Sequence, residues 1–175
     1  MKVVVIGGGP AGLYVALLLR KSNPSWQVTV LERNASNDTF GWGVVFSDQT
    51  LENFRQADDA SYREIVDHFA HWDDIDVHVH GRTITSGGHG FSGLARIALL
   101  GILQRRAAAL GVDLRFNTNV HDEGGLASLG LGDAELIIAA DGVNSAVREK
   151  HAAHFQPSLD NRPNRFVWFG TTRRF

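Results

Sequence analysis

The chain contains no cysteine among its 175 residues and has only four prolines and one methionine. Without cysteine it can form no disulfide framework, no thiolate nucleophile and no Cys-ligated zinc site. That composition fits a reducing compartment, so we expect a cytoplasmic protein.

Long apolar runs and blocks of one charge are also missing. No stretch approaches the ~18 consecutive apolar residues of a membrane-spanning helix, and the apolar start is too short for a signal peptide. The formal net charge is −2 with no basic block, so we expect neither a membrane nor a nucleic acid as partner. The pairs His68/His71 and His78/His80 are interpreted as polar helix-end and strand residues, and we expect no metal site.

The first 33 residues carry a nucleotide-binding pattern. A β-branched apolar run over 2–6 predicts a buried strand, and GGGPAG follows at once. In such a loop the first glycine allows a sharp turn, the second lets a pyrophosphate approach the backbone, and the third lets the next helix pack closely. Proline suits the first helical turn. The predicted cofactor-binding residues of the loop are Gly7, Gly9, Pro10, Ala11 and Gly12.

An acidic residue completes this pattern. The helix after the loop is predicted to run to about Lys21, and a second strand covers 27–31. Glu32 at the end of that strand, with Arg33 beside it, can accept hydrogen bonds from ribose hydroxyls and disfavours a 2′-phosphate, so NADP is not expected here. The loop contains no lysine, which argues against a Walker-type site.

The remaining sequence predicts further elements of both kinds. An α/β dinucleotide domain interrupted by added structure follows from their order, with a core over 1–35 and 92–155, an inserted antiparallel and helical segment over 36–91, and the start of another sheet over 163–175. Helices are predicted over 49–56, 61–69 and 94–110 and from about 145. Strands are predicted over 75–80 (half-buried), 82–86, 112–116, 118–121, 134–140 (buried) and 165–171, and a glycine-rich loop over 123–132.

A second constellation lies at the end of the 134–140 strand. There the carboxylate of Asp141 stands where open α/β sheets bind ligands. Gly142 permits the turn, and Asn144 or Ser145 can cap the next helix.

With the glycine loop and Glu32, this segment resembles the single-component FAD-dependent aromatic hydroxylases, which have a Rossmann-like, GR2-like FAD/NAD(P)-binding fold. Their DGxxSxxR motif matches Asp141, Gly142, Ser145 and Arg148. Their helix-opening arginine matches Arg96. The stretches 41–46 and 162–171 look like salicylyl-CoA 5-hydroxylases and 2-aminobenzoyl-CoA monooxygenases, and a violacein-pathway tryptophan hydroxylase is similar at the same places.

The resemblance implies a function. FAD would bind along the glycine loop and Glu32, with Arg96 toward the flavin (or in an ion pair at the helix start) and Asp141 and Gly142 near the ribityl chain. NADH or NADPH would reduce the flavin, and a flavin C4a-hydroperoxide would hydroxylate an aromatic acyl-CoA. An indole substrate, or an FAD-dependent oxidoreductase without oxygen insertion, is the alternative. Trp42 is expected either to stack on a ring or to lie in the core.

One departure from the family is visible. A further Gly-Asp motif, which in relatives lies well past position 175 and contacts the pyrophosphate and ribityl chain, is not part of these 175 residues. We therefore expect an N-terminal fragment of a larger flavoprotein, inactive alone. No catalytic residue and no oligomeric state is predicted.

Overall fold

The computed structural model describes residues 1–165 and residue 167. The predicted strand over 165–171 and most of the sheet expected over 163–175 fall outside these described residues. Within the described part, no helix combines the length and apolar character needed to cross a membrane.

Strands and helices alternate at the start of the chain and again over residues 96–155. In chain order the strands of the described part are β1 (Lys2–Ile6), β2 (Gln27–Leu31), β3 (Gly43–Ser47), β4 (Ala70–Trp72), β5 (Ile75–Val79), β6 (Arg82–Ser86), β7 (Phe91–Ala95), β8 (Asp113–Arg115) and β9 (Leu136–Ala139). The helices are α1 (Pro10–Ser22), α2 (Asp48–Ala57), α3 (Asp59–Val66), α4 (Arg96–Ala109), α5 (Ala146–Lys150) and α6 (Ala152–Phe155), with a 3₁₀ helix at Glu123–Leu129.

A four-stranded parallel sheet, in the order β8-β2-β1-β9, lies at the centre of the fold. The side chains of β1 alternate between two cores. Val3 and Val5 pack with residues of α1 and α4, whereas Val4 and Ile6 pack with Leu126 of the 3₁₀ helix and Val147 of α5. A strand covered on both faces is expected to be continuously apolar. The predicted α/β class with a parallel dinucleotide-type sheet is confirmed.

Two smaller sheets lie between β2 and α4. One is antiparallel, in the order β3-β7-β4, and the other is the β5–β6 hairpin. The predicted helices over 49–56 and 61–69 are present as α2, capped by Ser47, and α3, capped by Asp58, although α3 ends at Val66. The strand over 75–80 is predicted to be half-buried, but every residue of β5 and of its partner β6 is exposed.

Three sequence predictions were wrong in detail. The helix expected from Leu94 begins at Arg96, because Leu94 pairs with Val44 of β3 and belongs to the unpredicted strand β7. The strand expected over 118–121 is a loop, since Thr118 N–H donates to the Glu32 carbonyl and the chain leaves the sheet there. The segment expected to be a loop over 123–132 contains the 3₁₀ helix.

The strand predicted over 134–140 is shorter and less buried than expected. It is present as β9, where Leu136 is exposed. In the described structure β9 pairs with β1 and forms one edge of the sheet, which explains the exposure.

A buried carboxylate ties three helices together behind the sheet. Asp58 is 1% exposed. It accepts two hydrogen bonds from Arg106 of α4, at 2.9 and 2.7 Å, and its Oδ1 lies 3.1 Å from Lys21 Nζ of α1. From the sequence alone, the adjacent basic pair Arg105-Arg106 is typical of a solvated helix face. That prediction is wrong for Arg106, whose guanidinium forms this ion pair.

Candidate functional site

A groove crosses the carboxyl ends of β2, β1 and β9, the place where open parallel sheets bind ligands. Its walls come from the glycine loop, the segment after β2, one face of α4 and the loop after β8. Of the predicted site residues, those that line it are Gly7, Gly9, Glu32, Arg33, Arg96, Asp141 and Gly142. Pro10, Ala11 and Gly12 lie just behind this lining, in the first turn of α1.

The glycines of the loop differ in what a side chain would meet. Gly7 has φ +106°, and a Cβ there would run into the carbonyl group of Ala140. A Cβ on Gly12 would run into the carbonyl oxygen of Gly7. Within the described part of the chain, however, a Cβ on Gly9 meets no atom within 4 Å. Protein backbone thus accounts for Gly7 and Gly12, whereas Gly9 leaves open space beside the groove.

Helix α1 presents its N-terminus to this open space. Gly9 is its N-cap, Pro10 occupies its first turn, and among the described residues no side chain caps it. The first N–H groups of a helix have no intrahelical partner and carry a partial positive charge. An anion such as a diphosphate is the natural ligand for such an end.

Glu32 is held in place by three hydrogen bonds. Its Oε2 accepts from the Gly8 N–H at 2.8 Å, and its Oε1 accepts from Asn34 N–H at 2.8 Å and Asn34 Nδ2 at 2.7 Å. A carboxylate offers about four acceptor positions, so Oε2 can still accept a ligand hydroxyl. Sequence reasoning missed Gly8, whose N–H links the glycine loop to Glu32.

Arg96 begins α4 and contributes an unpaired buried donor to the groove. Its backbone N–H donates to the Trp42 carbonyl at 3.1 Å. Its Nε is buried without a hydrogen-bond partner among the described residues. Such a group costs about 1–3 kcal/mol, which an acceptor atom of a groove ligand would offset. Leu100 and Gln104 follow at helical spacing and line the same groove.

Asp141 is turned toward α5. Its Oδ2 accepts from the N–H groups of Ala146 at 2.9 Å and Val147 at 3.5 Å. Ser145 Oγ accepts from the Arg148 N–H at 3.0 Å, which confirms the cap predicted there. The described hydrogen bonds of Asp141 go to Oδ2, so its Oδ1 is available to a ligand.

A charged cluster fixes the 3₁₀ helix to α5 behind Asp141. Lys150 Nζ lies 2.8 Å from Glu123 Oε1 and 3.2 Å from Asp122 Oδ2. The hydrogen bond from Lys150 is the main cause that lowers the pKa of Glu123 to about 2. Glu123 therefore stays ionised to lower pH than an ordinary glutamate, and this exposed ion pair links the two helices.

The loop after β8 lines the groove and was missed by the sequence analysis. Phe116 and residues 118–121 face the groove. Asn117 N–H donates to the Asn34 carbonyl at 3.0 Å, which ties this loop to the segment after β2. No motif marks it. The one feature that could have indicated this loop is that it follows β8, the strand that pairs with β2.

The two histidine pairs and Trp42, which are notable in the sequence, do not line the groove. Residues 1–165 and 167 include no group of three or more His, Asp or Glu side chains that could hold a metal ion. His78 Nδ1 is 2.9 Å from Thr83 Oγ1, and His71 Nδ1 is 2.9 Å from Ser92 Oγ. Trp42 is 68% exposed, so the alternative that placed it in the core is wrong for the described structure.

The fold and the groove together define an α/β dinucleotide-binding domain. The residues present fit FAD, because they combine an uncapped helix end, open space at Gly9, a spare acceptor on Glu32 and the unpaired Nε of Arg96. Residues 1–162 match the family model described as FAD binding domain. The chain belongs to this family.

The similar proteins are named as oxygen-transferring enzymes. The chain is 45% identical over 175 residues to salicyloyl-CoA 5-hydroxylase of Streptomyces sp, covering all of this chain and 33% of that protein. It is 35% identical over 173 residues to 3-hydroxy-4-methyl-anthranilyl-[aryl-carrier protein] 5-monooxygenase of Streptosporangium sibiricum, covering 99% of this chain and 47% of that protein.

A solved structure agrees in fold. The tetrameric form of 2-methyl-3-hydroxypyridine-5-carboxylic acid oxygenase superposes with a TM-score of 0.73 and 25% identity, over 85% of this chain and 41% of that one. The chain thus spans between a third and a half of the length of the proteins it matches.

Proposed function

We propose that the chain forms the FAD-binding part of an NAD(P)H-dependent aromatic-ring monooxygenase. The observation that carries the proposal is that Gly7, Gly9, Glu32, Arg96 and Asp141, which are distant in sequence, line one groove at the carboxyl edge of the sheet. The family match supports FAD as its ligand.

Each part of the groove has a proposed role. The diphosphate lies along Gly7, Gly9 and the first turn of α1, formed by Pro10, Ala11 and Gly12. Glu32 accepts the hydroxyls of the adenosine ribose, and the exposed Arg33 lies beside it at the rim. Arg96 Nε donates to the flavin half of the cofactor, and Asp141 Oδ1 and the N–H of Gly142 face the ribityl chain.

Bound FAD supplies hydride uptake from NADH or NADPH and activation of dioxygen for insertion into an aromatic ring. The residues of this chain bind and orient the cofactor and help to keep water from it, since exclusion of water protects reactive species.

An aromatic acyl thioester is the proposed substrate class. Two relatives support it, because both names describe an aromatic acyl group attached to a carrier, CoA in one and an aryl-carrier protein in the other. The 45% identity to the CoA enzyme favours the CoA thioester.

Flavin absorbance and NAD(P)H oxidation with different substrates, both measured on the full-length protein that contains this chain, test the proposal. We expect flavin bands, and faster oxidation with hydroxylated product for salicyloyl-CoA or 2-aminobenzoyl-CoA than for the free acids or tryptophan. Stimulation by tryptophan alone would favour the indole alternative, and oxidation without hydroxylated product would favour an oxidoreductase without oxygen insertion.

A Gly9→Val variant tests where the diphosphate lies. The added side chain enters open space in the described structure, so the fold should persist while the diphosphate is blocked. We expect a folded, colourless protein. A yellow Gly9→Val protein with normal FAD affinity would show that the diphosphate lies elsewhere.

A further inference from the structure

The groove contains a second buried polar atom without a partner. Thr39 Oγ1 is buried, makes no hydrogen bond to any described residue, and belongs to a residue that lines the groove. Arg96 Nε has the same three properties. Tyr14 and Arg20 also carry unpaired buried atoms in the described structure, but neither lines this groove.

The position of Thr39 is fixed by the fold. The segment 36–42 is attached to α4 at both ends, because Gln104 Nε2 donates to the Ser36 carbonyl at 2.9 Å and Arg96 N–H donates to the Trp42 carbonyl at 3.1 Å. These two helix positions are about 12 Å apart at 1.5 Å per residue. Thr39 is the middle residue of the segment 36–42, so contacts outside the glycine loop hold it at the groove.

We propose that Thr39 is a further cofactor-binding residue, whose hydroxyl donates to an oxygen of FAD in the stretch between Glu32 and Arg96. A hydroxyl and a guanidinium nitrogen, both unpaired, suit a ligand rich in acceptor oxygens. This inference rests on the proposed function, because it takes FAD as the ligand. No motif of the sequence marks Thr39.

The proposal predicts opposite effects in the cofactor-free and cofactor-bound protein. An unpaired buried hydroxyl destabilises the free protein, and valine replaces threonine with nearly the same shape. The Thr39→Val variant should therefore melt at a higher temperature than wild type without FAD and bind FAD more weakly. A threonine that only supports the local fold would not give this pair of results.

The experiment measures the FAD dissociation constant by flavin fluorescence and the Tm of the cofactor-free protein. For Thr39→Val we expect a roughly threefold to tenfold higher dissociation constant, as for loss of one hydrogen bond, and a raised Tm. Thr39→Ser keeps the hydroxyl and should bind FAD within about twofold of wild type.

Thr118 provides a matched control at the same groove. Its Oγ1 already donates to the Phe116 carbonyl at 3.0 Å, so Thr118→Val should lower the Tm of the cofactor-free protein. Unchanged FAD affinity in Thr39→Val, or a lowered Tm, would overturn the inference while leaving the proposed function intact. If wild-type protein binds no FAD, the proposed function itself fails and the inference fails with it.

Discussion

The carboxyl edge of the parallel sheet and the β5–β6 hairpin are built under opposite constraints. In the sheet, Val3–Ile6 expose 3% or less of their surface, and a Cβ on Gly12 would collide with the backbone. In the hairpin, Ile75, Val77, Val79 and Ile84 share one face and are 38–59% exposed. Gly81 at its turn has φ +70°, and in the described part of the chain an added Cβ there meets nothing within 4 Å.

This difference shows why the two regions tolerate sequence change differently. At the carboxyl edge of the sheet, an added Cβ would collide with backbone atoms. Closely packed neighbours therefore require a glycine or a valine at these positions. In the hairpin the alternating pattern fixes which residues share a face, but the described structure puts nothing against that face. A substitution in the hairpin therefore changes stability only through the local backbone geometry.

Two adjacent aspartates, one buried and one exposed, show the same contrast. Substitution of the buried one has the largest expected effect on the free energy of unfolding. Asp58 is buried with Arg106 and Lys21, whereas Asp59 pairs with Arg63 on the surface at 2.7 Å. Asp58→Asn should cost about 3–5 kcal/mol of unfolding free energy, because it removes the charge of a buried carboxylate that bonds two cations, and each hydrogen bond to a charged group contributes about 1.5–3 kcal/mol. Asp59→Asn should cost at most about 1 kcal/mol. Urea unfolding of both variants measures the difference, and equal losses would contradict it.

The same carboxylate predicts a pH dependence. Burial alone would raise the pKa of Asp58, but the hydrogen bonds from Arg106, Lys21 and Ser61 outweigh it, so its pKa lies below the usual value. The unfolded chain then binds the proton more readily, and stability falls as the solution is acidified. This contribution is complete above about pH 5 and is lost as the pH falls further. A shallower acid slope in Asp58→Asn than in wild type confirms the assignment.

Gly12→Ala compared with Gly81→Ala tests the opening contrast directly. The Gly12 methyl group meets the fixed carbonyl oxygen of Gly7, and we expect a loss of about 3 kcal/mol together with loss of bound flavin. Gly81→Ala enters open space and pays only for its positive φ, about 1–2 kcal/mol. Thermal unfolding and the flavin content per chain measure both. Retention of full flavin in Gly12→Ala would mean that the helix can shift away from the strand.

Glu32→Ala is expected to weaken FAD binding more than it destabilises the fold. It removes an acceptor for the ribose hydroxyls, and a hydrogen bond to a charged group contributes about 1.5–3 kcal/mol, or roughly a tenfold to hundredfold change in the FAD dissociation constant. Asn34→Ala removes only the 2.7 Å side-chain bond to Glu32 and should have a smaller effect. Fluorescence titration measures both constants. Unchanged FAD occupancy in Glu32→Ala would show that the ribose contact is misplaced.

The sequence alone predicts those elements whose ends are set by residues close to them along the chain. β2 is present over the predicted residues 27–31, and α1 runs from the predicted Pro10 to Ser22, one residue past Lys21. Short-range chemistry sets these ends: a proline in the first helical turn, a glycine loop, and Asn23-Pro24 after the helix.

Predictions that depended on distant partners were less accurate. Leu94 continues a helical pattern, but its pairing with Val44 places it in a strand. The segment 36–42, which carries Thr39, and the loop after β8 reach the groove through hydrogen bonds to residues far along the chain. No local pattern reports such contacts, and for the same reason the alternation in β5 predicted a buried face that the described structure does not cover.

The smallest expected effect is at that face. Ile84 lies directly opposite Val77, and Ile84→Thr keeps a β-branched residue while removing apolar surface. With 59% of Ile84 exposed, we expect a change within about 0.5 kcal/mol. Val30→Thr in β2, at a position only 2% exposed, buries a hydroxyl in an apolar core and should cost about 1–3 kcal/mol. Urea unfolding compares the two, and a loss at Ile84 as large as that at Val30 would show that another part of the protein covers the hairpin.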